Sequence, residues 1–332
     1  MKLFELERAT DRGAAIAAAA ASPTAQQGAS VRFLAGGTTL VDLMKLGVEQ
    51  PERLIDINRL GLDDIQEQTD GGVRIGAAVT NSDLAHHPLV KKRYAALSEA
   101  ILSGASTQLR NVATTAGNLL QRTRCVYFRD VATSCNKRKP GSGCPAIKGV
   151  NRMLAILGTS QACIATNASD MAVAMMAFDA NVHIQGESAE RSIALKDFYL
   201  LPGDRPDREN VLEPGDLVTH VTLPPPPVGE KSVYLKLRDR ASYEFALVSA
   251  AAAFVVSNGK VMSARFALGG VGTRPWRVPE AERVLIGQAP DEQRFRRAAD
   301  LALADAKPQS QNAFKVELAK RCIVETFKLA GH

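Results

Sequence analysis

The 332-residue chain reads as an α+β protein in two parts, an α/β region followed by a C-terminal region with a small antiparallel sheet and helices. Three observations predict this. A strand, a Gly36-Gly37 turn and a helical start recur as a β-α-β pattern near the N-terminus. Pro224 to Pro227 form a stiff extended connector, which sets a boundary between residues 1–227 and 228–332. Beyond it, three strand-like runs precede three helical stretches, the segregated order of an α+β domain.

In chain order, Ala14 to Ala21 reads as a helix capped near Thr10 or Asp11 and stopped by Ser22-Pro23. It is not expected to be a signal peptide, because Glu5, Glu7 and Asp11 precede it and alanine is weakly hydrophobic. Val31 to Ala35 is an apolar strand entering Gly36-Gly37-Thr38-Thr39, with a helix from Leu40 to Lys45. Adjacent glycines let backbone N–H groups turn toward phosphate oxygens, although a plain tight turn uses the same residues. Arg53 to Ile57 closes the unit, and Val73 to Val79 begins a second region of strand character. One helix is predicted from Ser82. A second, from Lys91 to Ser103, places Tyr94, Leu97, Ile101 and Leu102 on one face and stops at Gly104. Asp170 to Phe178 reads as a helix, Asn181 to Gln185 and Val218 to Leu223 as strands, and 198–203 and 212–216 as loops around a ligand or interface. After the prolines, strands are predicted at Val233–Leu237, Ala246–Val256 and Val261–Leu268, and helices at Pro279–Ile286, Asp291–Ala306 and Asn312–Leu329. Phe314, Leu318 and Cys322 recur every four residues in the last helix, so Cys322 reads as a buried core thiol.

A composition of 45 % hydrophobic and 23 % charged residues is that of a globular chain with ample core. The net charge of +6 is concentrated in a cysteine-containing loop and the C-terminal helices, so nucleic acid is not the expected partner. No apolar run reaches spanning length, and no membrane span is expected.

Cys125, Cys135, Cys144 and Cys163 fall at C-x9-C-x8-C-x18-C in a segment rich in Arg, Lys, Gly and Ser. A long irregular segment inside a globular chain is uncommon unless functional, disordered or held by something else. Four thiolates complete the ligand set of a cubane iron-sulfur cluster. Structural zinc favours paired C-x2-C knuckles, which are missing here, but zinc and ordinary thiols or disulfides remain open on spacing alone. Arg122, Arg124, Arg129, Lys137, Arg138, Lys139 and Lys148 surround the cysteines; they suit an anionic cluster, and singly each reads as part of a solvated loop. Gly141 to Ala146 matches G-x-G-x-x-A by letter only, since it follows a charged loop and contains Pro145.

Taken together, Leu34-Ala35-Gly36-Gly37-Thr38-Thr39-Leu40, Thr114-Thr115-Ala116-Gly117-Asn118 and Asn167-Ala168-Ser169-Asp170 resemble, in order and separation, the motifs of the FAD-binding medium subunit in the xanthine dehydrogenase family of molybdenum hydroxylases. The resemblance covers essentially the whole chain. It implies a two-part FAD-binding (PCMH-type) α/β domain and that family's C-terminal domain. It also implies FAD contacts from Arg32, Phe33, Leu34, Ala35, Gly36, Gly37, Thr38, Thr39 and Leu40 at the pyrophosphate, from Thr114, Gly117 and Asn118 near the flavin and phosphates, and from Asp170. Lys236 sits where the family has a polar residue near the flavin. Ala116 departs from the pattern, adding a methyl group where glycine is common.

The four-cysteine insertion, residues 119–166, is similar to that of the flavin subunit of bacterial periplasmic aldehyde oxidoreductases and, more distantly, of 4-hydroxybenzoyl-CoA reductase. That likeness implies a [4Fe-4S] cluster on Cys125, Cys135, Cys144 and Cys163, close to FAD. The implied function is electron transfer: a large molybdenum-cofactor subunit oxidises an aldehyde, a small [2Fe-2S] subunit relays the electrons, and FAD passes them to an external acceptor. No catalytic acid or base is assigned. His86-His87 read as an exposed helix end, and His183 and His220 as single histidines in strands. Two other readings compete, a self-contained flavin oxidoreductase and a zinc-stabilised scaffold module. The expected location is the periplasm, reached on a partner's signal, with a cytoplasmic complex as the alternative.

Overall fold

The computed structural model describes residues 1–331. Strands β1 (Glu5–Arg8), β2 (Val31–Leu34) and β3 (Arg53–Asp56) form a parallel sheet in the order β1-β3-β2. The helix Arg12–Ala20 crosses between β1 and β2; Asp11 caps it, its carboxylate accepting the Ala14 N–H at 2.8 Å. β4 (Ile65–Glu67), β5 (Val73–Gly76), β6 (Asn181–Gln185), β7 (Glu190–Ala194) and β8 (Leu217–Leu223) form an antiparallel sheet in the order β4-β5-β8-β6-β7. β9 (Lys231–Leu237), β10 (Val248–Ser257) and β11 (Lys260–Gly269) form the small C-terminal antiparallel sheet, with β10 in the centre.

β10 is buried continuously from Val248 to Val255 because it is covered on both faces. Side chains alternate across a strand. Ala251 and Ala253 therefore join the core of the N-terminal part, while Val248, Ala250, Ala252 and Phe254 join a second core. The helix Asp170–Ala177 packs on the first face, and its residues 171–177 are all buried, which explains why it carries no polar stripe. On the other face lies Phe314–Gly331, where the rings of Phe254, Phe266, Phe295 and Phe327 cluster at centroid separations of 5.1–5.9 Å. Cys322 is 1 % exposed within this core, as its spacing predicted.

Three sequence expectations change. The helix predicted over 91–103 is broken at Tyr94 (φ −133°, ψ 50°) into Pro88–Arg93 and Ala95–Ser103. Tyr94 is fully buried, its hydroxyl donates to the Pro224 carbonyl at 2.8 Å, and its ring packs edge-on to Phe178; this tertiary anchoring outweighs helix continuity. Leu102 is exposed, not on the buried face. β1, β4 and β7 lack an apolar pattern because they lie at sheet edges, and sequence periodicity does not reveal them.

His183 and His220 are not single residues. They oppose each other in the β6–β8 register, with rings stacked at 4.0 Å. His183 Nε2 meets Thr222 Oγ1, and His220 Nδ1 meets Thr219 Oγ1, each at 2.9 Å. Burial, then the charges of His183, Arg74 and Arg12, lower the His220 pKa to about 4, with Asp64 opposing. The unfolded chain, with histidine near 6.5, then binds a proton that the folded state refuses, so stability is lost as pH falls from about 6.5 toward 4. Thermal unfolding across this window is expected to show a falling midpoint whose slope flattens in His220→Gln; an unchanged slope in the variant contradicts the assignment.

Candidate flavin cleft and four-thiol site

β2 delivers Arg32 to Leu34 into a cleft, and the chain then turns sharply at Gly36-Gly37. A side chain at position 36 would place its Cβ 2.0 Å from the Val112 carbonyl oxygen, and Gly37 has φ +67°, so both glycines are required sterically. The helix that follows, Leu40–Lys45, is only six residues long; the turn's backbone contributes more to an anion cradle than the helix dipole. All of Arg32 to Leu40 line the cleft, together with Thr114, Ala116, Gly117 and the loop 212–216. Thr114 caps the helix Thr115–Leu119 by accepting the Gly117 N–H at 3.3 Å. Ala116 forms part of the wall, so the departure from glycine lies within the cleft itself.

Asn118, Asp170 and Lys236 do not line this cleft. Asn118 Oδ1 accepts from Ser169 Oγ at 2.7 Å, joining the second and third motifs. Asp170 opens instead on a separate cavity shared with Cys125, Ser169 and Phe245. Its carboxylate pairs with Lys236 Nζ at 2.8 Å and accepts the Tyr234 hydroxyl at 2.5 Å, while Lys236 also donates to the Ser103 carbonyl. Burial, then the negative charge of Asp170, holds the Tyr234 phenol protonated far above its ordinary range.

The four cysteines, 125, 135, 144 and 163, line one small cavity, so the fold brings together thiols spread over 39 positions. Cys125 precedes the helical turn Val126–Arg129 and Cys144 the turn Pro145–Ile147, while Cys163 Sγ accepts the Ala165 N–H at 3.4 Å. All four are free thiols in this structure. The segment is not short of apolar surface: Cys125, Phe128, Ala146, Leu154, Cys163 and Ile164 form a third core with Leu43 and Val48. Burial, and then neighbouring thiols, raise the Cys125 pKa to about 11; burial also raises Cys144 and Cys163. Among the described residues, no three His, Cys, Asp or Glu side chains form a group that could hold a metal ion. Four cysteine side chains lining one cavity are, by type and number, the donors a cubane cluster would take.

Of the segment's basic residues, Lys139 and Lys148 are exposed as a solvated run would have them, but two others are not. Arg122 and Lys137 are buried and ion-paired to carboxylates far away in sequence. Glu49 binds Arg32 at 3.0 Å and also Arg122; Glu209 binds Arg122 and, at 2.7 Å, Lys137. Lys137 also donates to the Pro206 carbonyl at 2.9 Å, and the Arg122 guanidinium lies 4.6 Å over the Phe128 ring. Burial pushes the Glu209 carboxyl up, but Arg122 and Lys137 outweigh it and hold its pKa at about 2. Glu49 and Glu209 were not candidates from sequence, since nothing local marks partners separated by 73 and 87 residues. Arg32 Nε and Arg122 Nη2 are buried without a partner in or beside the cleft, donors of the kind an anionic ligand satisfies.

Comparison with known proteins accords with this geometry. Residues 4–226 match the FAD binding domain in molybdopterin dehydrogenase, and residues 233–330 the CO dehydrogenase flavoprotein C-terminal domain. The aldehyde oxidoreductase FAD-binding subunit PaoB of Escherichia coli K12 is 52 % identical over 97 % of this chain and 96 % of its own. The carbon monoxide dehydrogenase medium chain of Afipia carboxidovorans is 28 % identical over 85 % of this chain and 81 % of its own. In fold, the chain matches a subunit in the structure of reconstituted CO dehydrogenase from Oligotropha carboxidovorans, with a TM-score of 0.78, 24 % identity and 99 % of both chains covered. A glycine cradle, buried unpartnered donors and a matching C-terminal domain thus meet in one chain, which belongs to the FAD-binding medium subunits of the molybdenum hydroxylases, a family of oxidoreductase components.

Proposed function

We propose that the chain is the electron-transfer subunit of a molybdenum-dependent aldehyde oxidoreductase, holding FAD in the cleft and a [4Fe-4S] cluster on Cys125, Cys135, Cys144 and Cys163. Its partners are a large molybdenum-cofactor subunit and a small [2Fe-2S] subunit, and an external acceptor takes the electrons. The aldehyde substrate class rests on the likeness to PaoB. The observation that carries the cluster reading is the convergence of four free cysteines on one cavity, with Cys125 also lining the cavity of Asp170.

Bound FAD supplies the exchange between one- and two-electron carriers. The chain's own residues bind and orient. The Gly36-Gly37 turn, where no side chain fits at position 36, would let backbone approach a pyrophosphate, and Arg32 and Arg122 in the same cleft would balance its charge. Asn118 and Ser169 lock the second and third motifs together, while Lys236 and Tyr234 fix the Asp170 carboxylate. The Ala165 N–H and the Lys137 charge stand by Cys163, where they would tune the potential of a cluster held on that thiolate. The complex is assigned to the periplasm, exported on a partner's signal, and cell fractionation decides between that and a cytoplasmic complex.

Asp170→Ala should lower FAD retained through purification. It should also destabilise the fold by about 3–5 kcal/mol, because Lys236, with a side chain 4 % exposed, loses its counter-charge. The paired variant Asp170→Asn with Lys236→Met is expected to recover the stability but not the flavin; full flavin occupancy in either removes the role given to Asp170. Ser substitution at each of Cys125, Cys135, Cys144 and Cys163 is expected to lower iron per chain, with Cys322→Ala unchanged. A variant keeping parental iron takes that cysteine out of the ligand set.

A further inference from the structure

Glu209 stands in two walls at once. It lines the flavin cleft with Arg32, Glu49 and Arg122, and it lines the neighbouring cavity with Lys137 and Cys163. Lys137 and Cys163 in turn line the four-thiol cavity. We propose that Glu209 and Lys137 couple occupancy of the flavin cleft to the order of the four-cysteine segment, so that a ligand in one region stabilises the other.

The charge sequence Arg32, Glu49, Arg122, Glu209, Lys137 is continuous and alternating, three cations sharing two carboxylates. Arg32 and Arg122 line the cleft that an anion would enter, and Arg32 Nε and Arg122 Nη2, sealed from solvent, have no partner that holds them in place. Drawing either guanidinium toward the anion changes what that group offers Glu49 and Glu209. Lys137 is the other cation on Glu209; its ammonium is tied to the Pro206 carbonyl, and its side chain lines the four-thiol cavity. Arg122, Lys137 and Glu49 are each below 10 % exposed, so the solvent that screens surface ion pairs is largely excluded and the rearrangement passes along the row. Such a coupling is reciprocal by linkage: whatever the flavin adds to the order of the thiol segment, that order adds to flavin affinity.

The inference rests on the cleft being the FAD site. Hydrogen exchange of the full-length chain, FAD-free and FAD-loaded, tests it without requiring iron or turnover. FAD is expected to slow amide exchange over residues 134–146 and 160–166 by about fivefold or more, the lower end of ordinary coupling free energies. In Lys137→Met, which leaves the Arg122–Glu209 pair in place, that slowing should disappear although FAD still binds. Equal protection in the parent and Lys137→Met, or no change in a parent whose absorbance shows bound FAD, overturns the coupling. A parent that binds no FAD overturns the flavin reading and the coupling with it.

Discussion

The buried ion pairs around Arg122 are the constraint on which the rest of the structure depends. Arg122 opens the four-cysteine segment, yet its charge is answered by Glu49 from the first β-α-β unit and by Glu209 from the loops before β8. A guanidinium buried to this degree is tolerable only while its partners stay in place, and removing one partner of such a pair costs about 3–5 kcal/mol. The irregular segment is thus held at its entrance by charge, and one network fixes its position relative to the glycine cradle. Hydrophobic burial beneath Phe128 and Leu154 adds to this hold without directing it, because apolar contacts do not select a partner as a paired carboxylate does.

Between its third and fourth cysteines, the segment is held by uncharged carbonyls and a buried lysine. Asn151 and Asn312 are fully buried; Asn151 donates to the Gly149 carbonyl, and Asn312 to the carbonyls of Asn151 and Leu154. Lys315, also fully buried, donates to the carbonyls of Leu154 and Gly270, and burial lowers its pKa to about 7. The C-terminal part therefore does more than complete the fold. The start of its last helix clamps the cysteine segment at Leu154, and Lys236 from β9 neutralises Asp170 at the head of the helix that packs in the first core. The insertion is anchored at two places to elements that do not contain it.

What the sequence made legible was local. The Asp11 cap, the strand and glycine turn at 31–37, the helix Leu40–Lys45 and the three C-terminal strands follow from short-range pattern and backbone sterics. What it hid was decided at a distance. Tyr94 interrupts a good helical pattern because Pro224, 130 residues on, accepts its hydroxyl. His183 and His220 meet only once β6 and β8 are in register. Arg122 looks solvated until Glu49 and Glu209 arrive, and Asp170, read as a cofactor ligand, is seen in the fold with two protein donors of its own.

The central claim, that one chain holds flavin and an iron-sulfur cluster side by side, is tested most directly by the visible spectrum of the anaerobically purified chain before and after dithionite, with iron and zinc quantified on the same sample. The account predicts resolved flavin bands over a broad absorption that dithionite bleaches, with about four irons per chain as a Cys₄ cubane requires. Flavin without iron, or zinc in place of iron, contradicts it.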